Sequence, residues 1–423
     1  MKKFYLETYG CKSNQADSEL MRGILAKEFK EASVNEANFI ILNSCGVVKR
    51  TERKIIKRMQ QFKKMGKKIV LAGCLPLISP KTSKNLANGV LGPTNIFSLP
   101  IVVKRVLKNK KSIFFKPKKI DKAKFYCQKK KEKKENCSTV ISISEGCLGE
   151  CSYCVTKLAR GRLKTFEMEY VLNEIRNALV QGFKEIQLTS QDLAIYGVDK
   201  GKFLFPKLLK EISKINADFK IRLGMMNPWG AKKILRDLIS VLKSKKFYKF
   251  LHLPLQSGDD EILRKMNRNY TTKDFLRTVN VFRENFKESL LATDVICAYP
   301  DESEESFEKT IDLVKKTKPE ILHIFRFSKR QGTEAEKLKD FPERIKKERS
   351  RILTKIWTEM NLKKNKKFLG KKFNVLITEK RGNSFLARTN SFRAVILKEG
   401  KIGKFEKVKI INFRPNYLIG KII

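Results

Sequence analysis

Three cysteines in the first part of the chain, Cys11, Cys45 and Cys74, each stand just past a short apolar, β-rich run. They are about thirty residues apart, which is the length of one βα unit. Because the carboxyl ends of parallel strands share one edge of a sheet, where ligands bind, the three thiols are predicted to converge on one cofactor. Buried core thiols are the alternative, but core positions would scatter along the strands.

A second triad, Cys147, Cys151 and Cys154, has the spacing C-x3-C-x2-C. A structural zinc ion takes four protein ligands, whereas three thiolates on a 4Fe–4S cluster leave one iron open. An open iron can chelate a small molecule. On spacing alone, an incidental triad or a zinc cluster remains the alternative.

Composition limits the class of protein. A chain of 423 residues has enough core for two or three domains, and 41% hydrophobic residues is typical of a soluble protein. No apolar run is long enough to span a bilayer, and residues 1–7 lack the apolar core of a signal peptide. Nine cysteines then indicate metal binding in a reducing cytoplasm, whereas only two histidines argue against histidine-based metal or acid–base chemistry.

The net charge of +48, with 92 Lys and Arg against 44 Asp and Glu, suggests a polyanion as partner. Nucleic acid is the simplest such partner. The alternative is a coding bias, because Ile, Phe and Asn are abundant as well.

The first block, residues 1–115, alternates apolar strands with helical patterns, for example over 14–29 and 49–64. This alternation is typical of a doubly wound parallel sheet, and Asn14 is predicted to cap its first helix. The Lys-crowded stretch 116–136 is predicted to be a solvated linker. Two cysteines in or beside it lack partners at a useful spacing and are predicted not to bind metal; they are Cys127 and Cys137.

The second block, residues 137–365, contains six β-rich runs separated by helical patterns such as 166–180 and 303–315. Six βα units predict a partial (β/α)6 barrel, whose chemistry lies at the carboxyl ends of its strands. The second triad directly follows the first run, as that rule requires, whereas Cys297 lies within the fifth run and is predicted to be a core thiol. The predicted strands are Val140–Ser144, Glu185–Ser190, Lys220–Met225, Phe250–Leu255, Leu291–Cys297 and Ile321–Phe327.

The third block, residues 366–423, follows a long charged helix predicted over 342–365. Short β-branched runs separated by Gly predict a small antiparallel barrel. The block has fifteen Lys and Arg against three Asp and Glu, and basic grooves with interleaved aromatic residues hold single-stranded nucleic acid. Alternatively, the aromatic residues are core. They are Phe385, Phe392, Phe405, Phe413 and Tyr417.

The motifs around both triads resemble those of a known family, the methylthiotransferases. Members have an N-terminal cluster domain, a radical S-adenosylmethionine (SAM) barrel and a C-terminal TRAM domain, and the likeness covers nearly all of the chain except the Lys-rich linker. The run Thr156-Lys-Leu-Ala-Arg-Gly looks most like the archaeal and eukaryotic-type branch. The matching motifs are Thr8-Tyr-Gly-Cys, Asn43-Ser-Cys, Ala72-Gly-Cys-Leu-Pro and Gly146-Cys-Leu-Gly-Glu-Cys-Ser-Tyr-Cys.

The resemblance implies an α/β enzyme that methylthiolates N6-threonylcarbamoyladenosine beside the anticodon of tRNA. It implies two 4Fe–4S clusters, SAM as cofactor, the tRNA anticodon stem-loop as partner and a low-potential electron donor of the flavodoxin or ferredoxin type. Each cysteine triad would hold one cluster. The expected SAM contacts are Tyr153, Gln191 and Gln256.

The chain departs from the family pattern in a few places. The usual Gly-Phe-Pro-Gly-Glu-Thr is Ala298-Tyr-Pro-Asp-Glu-Ser, Ser190 replaces a common Gly, and Leu77 replaces a common Gln. Because all six ligand cysteines are present, these departures affect the expected SAM geometry and not the chemistry. Two rival functions stay open: methylthiolation of isopentenyladenosine in tRNA or of a ribosomal-protein aspartate, and a non-catalytic iron–sulfur protein that binds RNA.

Overall fold

The structure, a computed structural model, describes residues 1–114 and 136–423. These form two compact units. Unit 1 combines the N-terminal residues with 144–174 and 328–337, and unit 2 comprises 136–143, 175–327 and 338–423. The predicted linker and Cys127 lie outside the described residues.

The N-terminal part of unit 1 is a six-stranded parallel sheet with the order β2-β1-β3-β4-β5-β6. Alternate side chains of one strand enter two separate cores, as the pleat of a strand requires. Phe39 and Ile41 face one core, and Ile40 and Leu42 face the other. The doubly wound sheet is therefore confirmed. Its strands are β1 (Lys3–Thr8), β2 (Lys30–Glu31), β3 (Phe39–Ser44), β4 (Lys68–Gly73), β5 (Gly89–Leu91) and β6 (Ser112–Phe114).

Five helices cover the faces of this sheet. They are α1 (Lys12–Leu25), α2 (Lys49–Lys64), α3 (Leu75–Ile78), α4 (Pro80–Leu86) and α5 (Leu99–Leu107). The predicted N-cap role of Asn14 is wrong, because α1 begins two residues earlier and Cys11 occupies the cap position. The Asn14 side chain instead makes long-range hydrogen bonds with other strand ends.

All six predicted barrel strands are present in the central part of the chain. They form two parallel sheets, β11-β10-β7 and β12-β13-β14, which isolated bridges Ile221–Phe247 and Met225–His252 connect. The partial barrel is therefore confirmed. Its strands are β7 (Ser138–Ser142), β10 (Glu185–Thr189), β11 (Lys220–Leu223), β12 (Phe250–His252), β13 (Leu290–Cys297) and β14 (Ile321–Arg326).

A short antiparallel pair, β8 (Ser144–Glu145) and β9 (Lys164–Thr165), belongs to unit 1 and closes the base of the second cysteine loop. Eight helices complete the middle of the chain. They are α6 (Thr156–Arg160), α7 (Met168–Val180), α8 (Phe205–Lys214), α9 (Pro228–Leu242), α10 (Asp260–Lys265), α11 (Thr272–Asn285), α12 (Glu304–Thr317) and α13 (Glu343–Lys366).

The last part of the chain is a closed five-stranded barrel with the order β15-β16-β17-β19-β18. Its core comprises apolar residues such as Val375, Val395 and Leu418. The predicted barrel is confirmed, with one strand, β19, that sequence patterns did not show. The strands are β15 (Lys372–Arg381), β16 (Ser384–Thr389), β17 (Ala394–Leu397), β18 (Phe405–Phe413) and β19 (Leu418–Ile422).

The terminal barrel packs into the partial barrel through the loop after β16. The Phe392 ring lies 5.0 Å from the Tyr248 ring and 5.1 Å from the Phe250 ring, measured between centroids. Lys249 N donates to the Asn390 carbonyl at 2.8 Å. Phe392 is therefore a core residue and not a groove aromatic, whereas Phe405 has 45% of its surface exposed.

The two cysteines expected to be non-ligands in unit 2 are buried thiols. Cys137 Sγ lies 3.4 Å from the Ile377 carbonyl oxygen, and burial raises the pKa of Cys137 to about 12. Cys297 is also fully buried, and burial raises the pKa of its thiol. Among the described helices, none has the length and apolar character that crossing a membrane would require.

Candidate functional site

The first cysteine triad lies at the carboxyl edge of three adjacent strands of the N-terminal sheet. Cys11 follows the end of β1, Cys45 directly follows β3 and Cys74 directly follows β4. These strands neighbour one another in the sheet. The order of the strands therefore brings together three residues that are far apart in the sequence.

Asn14 connects the ends of these strands. Its side-chain Nδ2 donates to the carbonyls of Tyr9 at 2.8 Å and Ser44 at 3.0 Å. Its Oδ1 lies 3.8 Å from Cys11 Sγ and 4.0 Å from Cys74 Sγ. These two sulfurs are therefore no more than about 8 Å apart.

Two glycines allow the close approach of the chain at this edge. Gly10 has φ +111°, and a Cβ on it would lie 2.7 Å from Cys45 Cβ and 3.3 Å from Cys45 Sγ. Gly73 has φ +93°, and a Cβ on it would lie 2.4 Å from the Ser44 carbonyl oxygen. Because any side chain would push the strand ends apart, both positions require Gly.

The second triad lies in the loop between β8 and β9. A Cβ on Gly149 would lie 3.3 Å from Cys147 Sγ and 3.7 Å from Cys151 Sγ, so these sulfurs are no more than about 7 Å apart. Gly149 N donates to Cys147 Sγ at 3.2 Å, and Thr156 N donates to Cys154 Sγ at 3.4 Å. Backbone N–H groups directed at sulfur are a common feature of thiolates that bind iron–sulfur clusters.

A buried arginine connects the two triads within unit 1. Arg160 Nη1 donates to Glu145 at 3.0 Å, one residue before the second cysteine loop. Its Nη2 donates to Asn14 Oδ1 at 2.7 Å and to Asp17 at 2.9 Å. Only 4% of the Arg160 side chain is exposed. The same guanidinium therefore contacts both the second cysteine loop and the residue that holds the first triad.

These surroundings decide how the thiols and Arg160 ionise. Burial raises the pKa of the Cys74 thiol to about 12 and also raises that of Cys45. Burial alone would lower the pKa of Arg160, but the nearby Cys74 sulfur and Asp17 carboxylate outweigh it and hold that pKa well above its ordinary value. Three clustered thiols beside a permanent cation fit a metal cluster, because bound metal deprotonates thiols.

Residues 328–337 complete unit 1. Arg330 donates to Glu52 at 2.5 Å and to the Val47 carbonyl at 3.1 Å, close behind Cys45. Ala335 N donates to the Ser152 carbonyl at 2.9 Å, inside the second cysteine loop. The Phe-Ser-Lys-Arg-Gln-Gly segment therefore supports both triads, a role that its sequence alone did not indicate.

The expected SAM contacts belong to different units. Tyr153 lies in the second cysteine loop of unit 1, half-buried. Gln191 and Gln256 lie in unit 2, just past the carboxyl ends of β10 and β12. Gln256 has φ +66° and a buried Oε1 without a hydrogen-bond partner. Strained backbone and an unsatisfied acceptor at a strand end are typical of a residue that faces a ligand.

The departures from the family pattern coincide with unusual backbone. Ala298 and Asp301, which stand where the family has Gly, have φ +55° and +65°. The neighbouring Glu302 accepts from Ala298 N at 2.7 Å and from Arg349 at 2.6 Å. This buried ion pair holds the strained turn in place. Ser190 and Leu77 cause no comparable strain in the backbone.

Two groups in the partial barrel escaped sequence reasoning. Both histidines of the chain meet at one carboxylate: His252 Nε2 lies 3.1 Å and His323 Nδ1 2.7 Å from Asp294 Oδ1. Asp192 is a buried carboxyl that accepts from the backbone N of Ala194 and Asn227, both at 3.0 Å. Burial raises the pKa of Asp192 to about 7. No local motif marks either group.

Comparison with known proteins was made by sequence and by structure. Residues 141–314 match the Radical SAM superfamily, residues 3–91 match Uncharacterized protein family UPF0004, and residues 366–423 match the TRAM domain. The radical SAM methyltransferase TsrM from Kitasatospora setae, with cobalamin and a [4Fe-4S] cluster bound, superposes with a TM-score of 0.56 at 13% identity. The match covers 79% of this chain and 74% of that chain, which shows a shared fold.

Two archaeal relatives, each named a probable threonylcarbamoyladenosine tRNA methylthiotransferase, match over the full length. The protein of Archaeoglobus fulgidus is 49% identical, covering 99% of this chain and 98% of the relative. The protein of Pyrococcus horikoshii is 40% identical, covering 100% of both. The family expected from the cysteine motifs is therefore confirmed, and the chain belongs to the threonylcarbamoyladenosine tRNA methylthiotransferases.

Proposed function

We propose that this protein is a radical-SAM methylthiotransferase that adds a methylthio group to carbon 2 of N6-threonylcarbamoyladenosine beside the anticodon of tRNA. The observation that carries the proposal is the occurrence of both cysteine triads in one compact unit, with Arg160 bonded to the surroundings of each. A protein that only binds RNA has no need for two such triads.

The cofactors follow from the chemistry of the substrate. Carbon 2 of adenine carries an unactivated hydrogen that no side-chain base removes, so SAM and two 4Fe–4S clusters supply the radical and the sulfur chemistry when bound. Cys147, Cys151 and Cys154 would hold one cluster, whose open iron is free to bind SAM. The second cluster would be held by the first triad, Cys11, Cys45 and Cys74.

Side chains of this protein would position the reactants. Tyr153 would pack beside SAM in the second cysteine loop, and Gln191 and Gln256 would meet polar atoms of SAM at the strand ends. The target base has to leave its stack in the anticodon loop, as base-modifying enzymes generally require. A low-potential donor of the flavodoxin or ferredoxin type would deliver electrons, and free cysteines are consistent with a reducing cytoplasm.

The terminal barrel, residues 366–423, would bind the anticodon stem-loop. One face of β18 presents Phe405 together with Lys407 and Lys409, all exposed, and Lys404 lies directly before that strand. Aromatic stacking between phosphate-binding lysines is a common arrangement for single-stranded nucleic acid. We further propose the division into domains 1–115, 137–365 and 366–423, joined by the linker 116–136.

The decisive experiment is turnover by the full-length protein after anaerobic reconstitution. About eight irons per chain are expected, and about four after replacing either cysteine triad with Ala. Mass spectrometry of tRNA nucleosides would then show methylthiolation of threonylcarbamoyladenosine. Methylthiolation of isopentenyladenosine or of a ribosomal-protein aspartate instead would assign the protein to a rival branch. Bound zinc without SAM cleavage would exclude the enzyme.

The two triads are distinguished by their separate reactions. Replacing Cys11, Cys45 and Cys74 should retain reductive cleavage of SAM to 5′-deoxyadenosine but abolish methylthio transfer. Replacing the second triad should abolish both reactions. If the first variant still modified tRNA at the normal rate, the first triad would not be the sulfur site.

RNA binding by the terminal barrel is tested by salt titration. Replacing Lys404, Lys407 and Lys409 with Gln should make affinity for the stem-loop less dependent on salt, by about 0.7–0.9 in log–log slope per lost contact. Replacing the exposed lysines Lys233, Lys243 and Lys245 of the partial barrel provides the control. An unchanged slope in the first variant would exclude β18 as a phosphate-binding face.

A further inference from the structure

The partial barrel contains a continuous row of polar and aromatic side chains, here called the barrel row: Arg222, Phe250, His252, Asp294 and His323. The Arg222 guanidinium carbon lies 4.8 Å from the Phe250 ring centroid. The ring centroids of His252 and His323 are 5.5 Å apart, and both imidazoles bond Asp294. The row therefore extends across strands β11 to β14.

Arg222 is the cation of this row, and its hydrogen-bonding capacity is unused. Its Nε is fully enclosed without a partner. Within the described ranges, its guanidinium makes neither an ion pair nor a hydrogen bond. An enclosed donor that lacks a partner is costly, so a ligand that satisfies it would bind with a corresponding gain.

The carboxylates near Arg222 already have other donors. Glu185 accepts from Ser138 at 2.8 Å, Gln187 at 2.7 Å and Tyr248 at 2.9 Å. Asp294 accepts from its two imidazoles, as described above. Burial lowers the pKa of Arg222 to about 10, so the group keeps its positive charge at neutral pH. Arg222 is therefore a charged fork without an anion.

A ligand can reach the row from one side. Strand β14 pairs only with β13 among the described strands and forms the edge of its sheet. At that edge, 47% of the His323 side chain and 39% of Phe325 are exposed. The row is enclosed around Arg222 and open around His323, which is the form of a binding site and not of a sealed core.

We propose that Arg222 binds the carboxylate of the threonylcarbamoyl group, and that the barrel row is the subsite that recognises this group. The inference rests on the proposed function. The planar guanidinium fork matches a carboxylate in two parallel hydrogen bonds. An isopentenyl group has no carboxylate, so the same arginine disfavours that substrate by remaining unpaired.

The test compares Arg222→Met and Arg222→Lys with Arg236→Met, which removes an exposed arginine from α9. Two stem-loop RNAs are used, one with threonylcarbamoyladenosine and one with its methyl ester, which has no negative charge. Equilibrium binding and KM are measured on cluster-loaded protein. Arg222→Met should weaken binding of the charged RNA about 10- to 100-fold and leave binding of the ester unchanged. Arg222→Lys, which keeps the charge without the fork, should fall between.

Two further measurements separate this role from others. Cleavage of SAM without RNA should be unchanged in Arg222→Met, because a loss would assign the arginine to the SAM carboxylate. The thermal unfolding midpoint should not fall, because no ion pair is broken. Equal weakening for both RNAs, or a lower midpoint, would overturn the proposal. Wild-type turnover of isopentenyladenosine alone would contradict the proposed function, whereas the binding comparison would still decide the role of Arg222.

Discussion

Replacing Asp192 with Asn should stabilise the protein, and the gain should depend on pH. The buried carboxyl has a pKa raised from 3.8 to about 7 by burial, with two backbone N–H donors and a distant Arg268 offsetting only part of that cost. The folded protein therefore binds a proton that the unfolded chain has lost. Asn keeps the acceptor oxygen for Ala194 N and Asn227 N without any charge.

The sign and size follow from proton linkage. Because the folded pKa lies above the unfolded one, the wild type loses stability as pH rises through the range from 3.8 to about 7. Above that range both states are ionised and the loss is complete. At about 1.4 kcal/mol per pH unit, the advantage of Asp192→Asn should grow by about 3 kcal/mol between pH 5 and pH 8.

Calorimetry of full-length wild type and variant at several pH values measures this difference. For a folding unit of this size, about 3 kcal/mol corresponds to a rise of about 6–12 °C in the unfolding midpoint of the variant over the wild type. Asp237→Asn, which changes an exposed carboxyl on α9, controls for altered net charge. A difference between Asp192→Asn and wild type that stays constant from pH 5 to pH 8 would refute the reasoning.

Three other substitutions test packing and support around the sites. Phe392→Ala should destabilise the protein by about 3–5 kcal/mol, because it empties a space between two barrel rings; denaturant unfolding measures the loss, and an effect below 1 kcal/mol would contradict the packing. Arg160→Met should lower iron content while Arg162→Met, which changes an exposed arginine, should not, because Arg160 leaves Asp17 buried without its partner at a cost of about 3–5 kcal/mol. Ala298→Val should cost roughly 2–4 kcal/mol in thermal unfolding, because a β-branched side chain is strained at φ +55°, whereas Ala298→Gly should change stability by less than about 1 kcal/mol.

Local patterns were sufficient to predict most of the fold. Strands such as β10 and β13 are short, apolar and followed by helical periodicity, so their existence did not depend on distant residues. The same reasoning located the cysteines at strand ends, because position relative to a strand is a property of the local sequence. Strand β19 was missed because Leu418–Ile422 contains a Gly and a Lys and pairs with β17 and β18 from a distance.

Long-range side-chain contacts could not be predicted in this way. Asn14 has the residue type of a helix cap, yet its side chain bonds the end of another strand. His252 and His323 are far apart in the chain, and only strand order brings them to one carboxylate. Their small number led to the expectation that histidine had no role, which the meeting of both at Asp294 does not support.

The loop that carries Phe392 has a consequence for how this protein could change during evolution. Modules that bind RNA are often exchanged between genes as independent pieces. Here the terminal barrel fills part of the interior of the partial barrel, through Phe392 and the hydrogen bond from Lys249 N to the Asn390 carbonyl. A transplanted module without this loop would leave the Tyr248 and Phe250 rings uncovered, so the two barrels have to be inherited together.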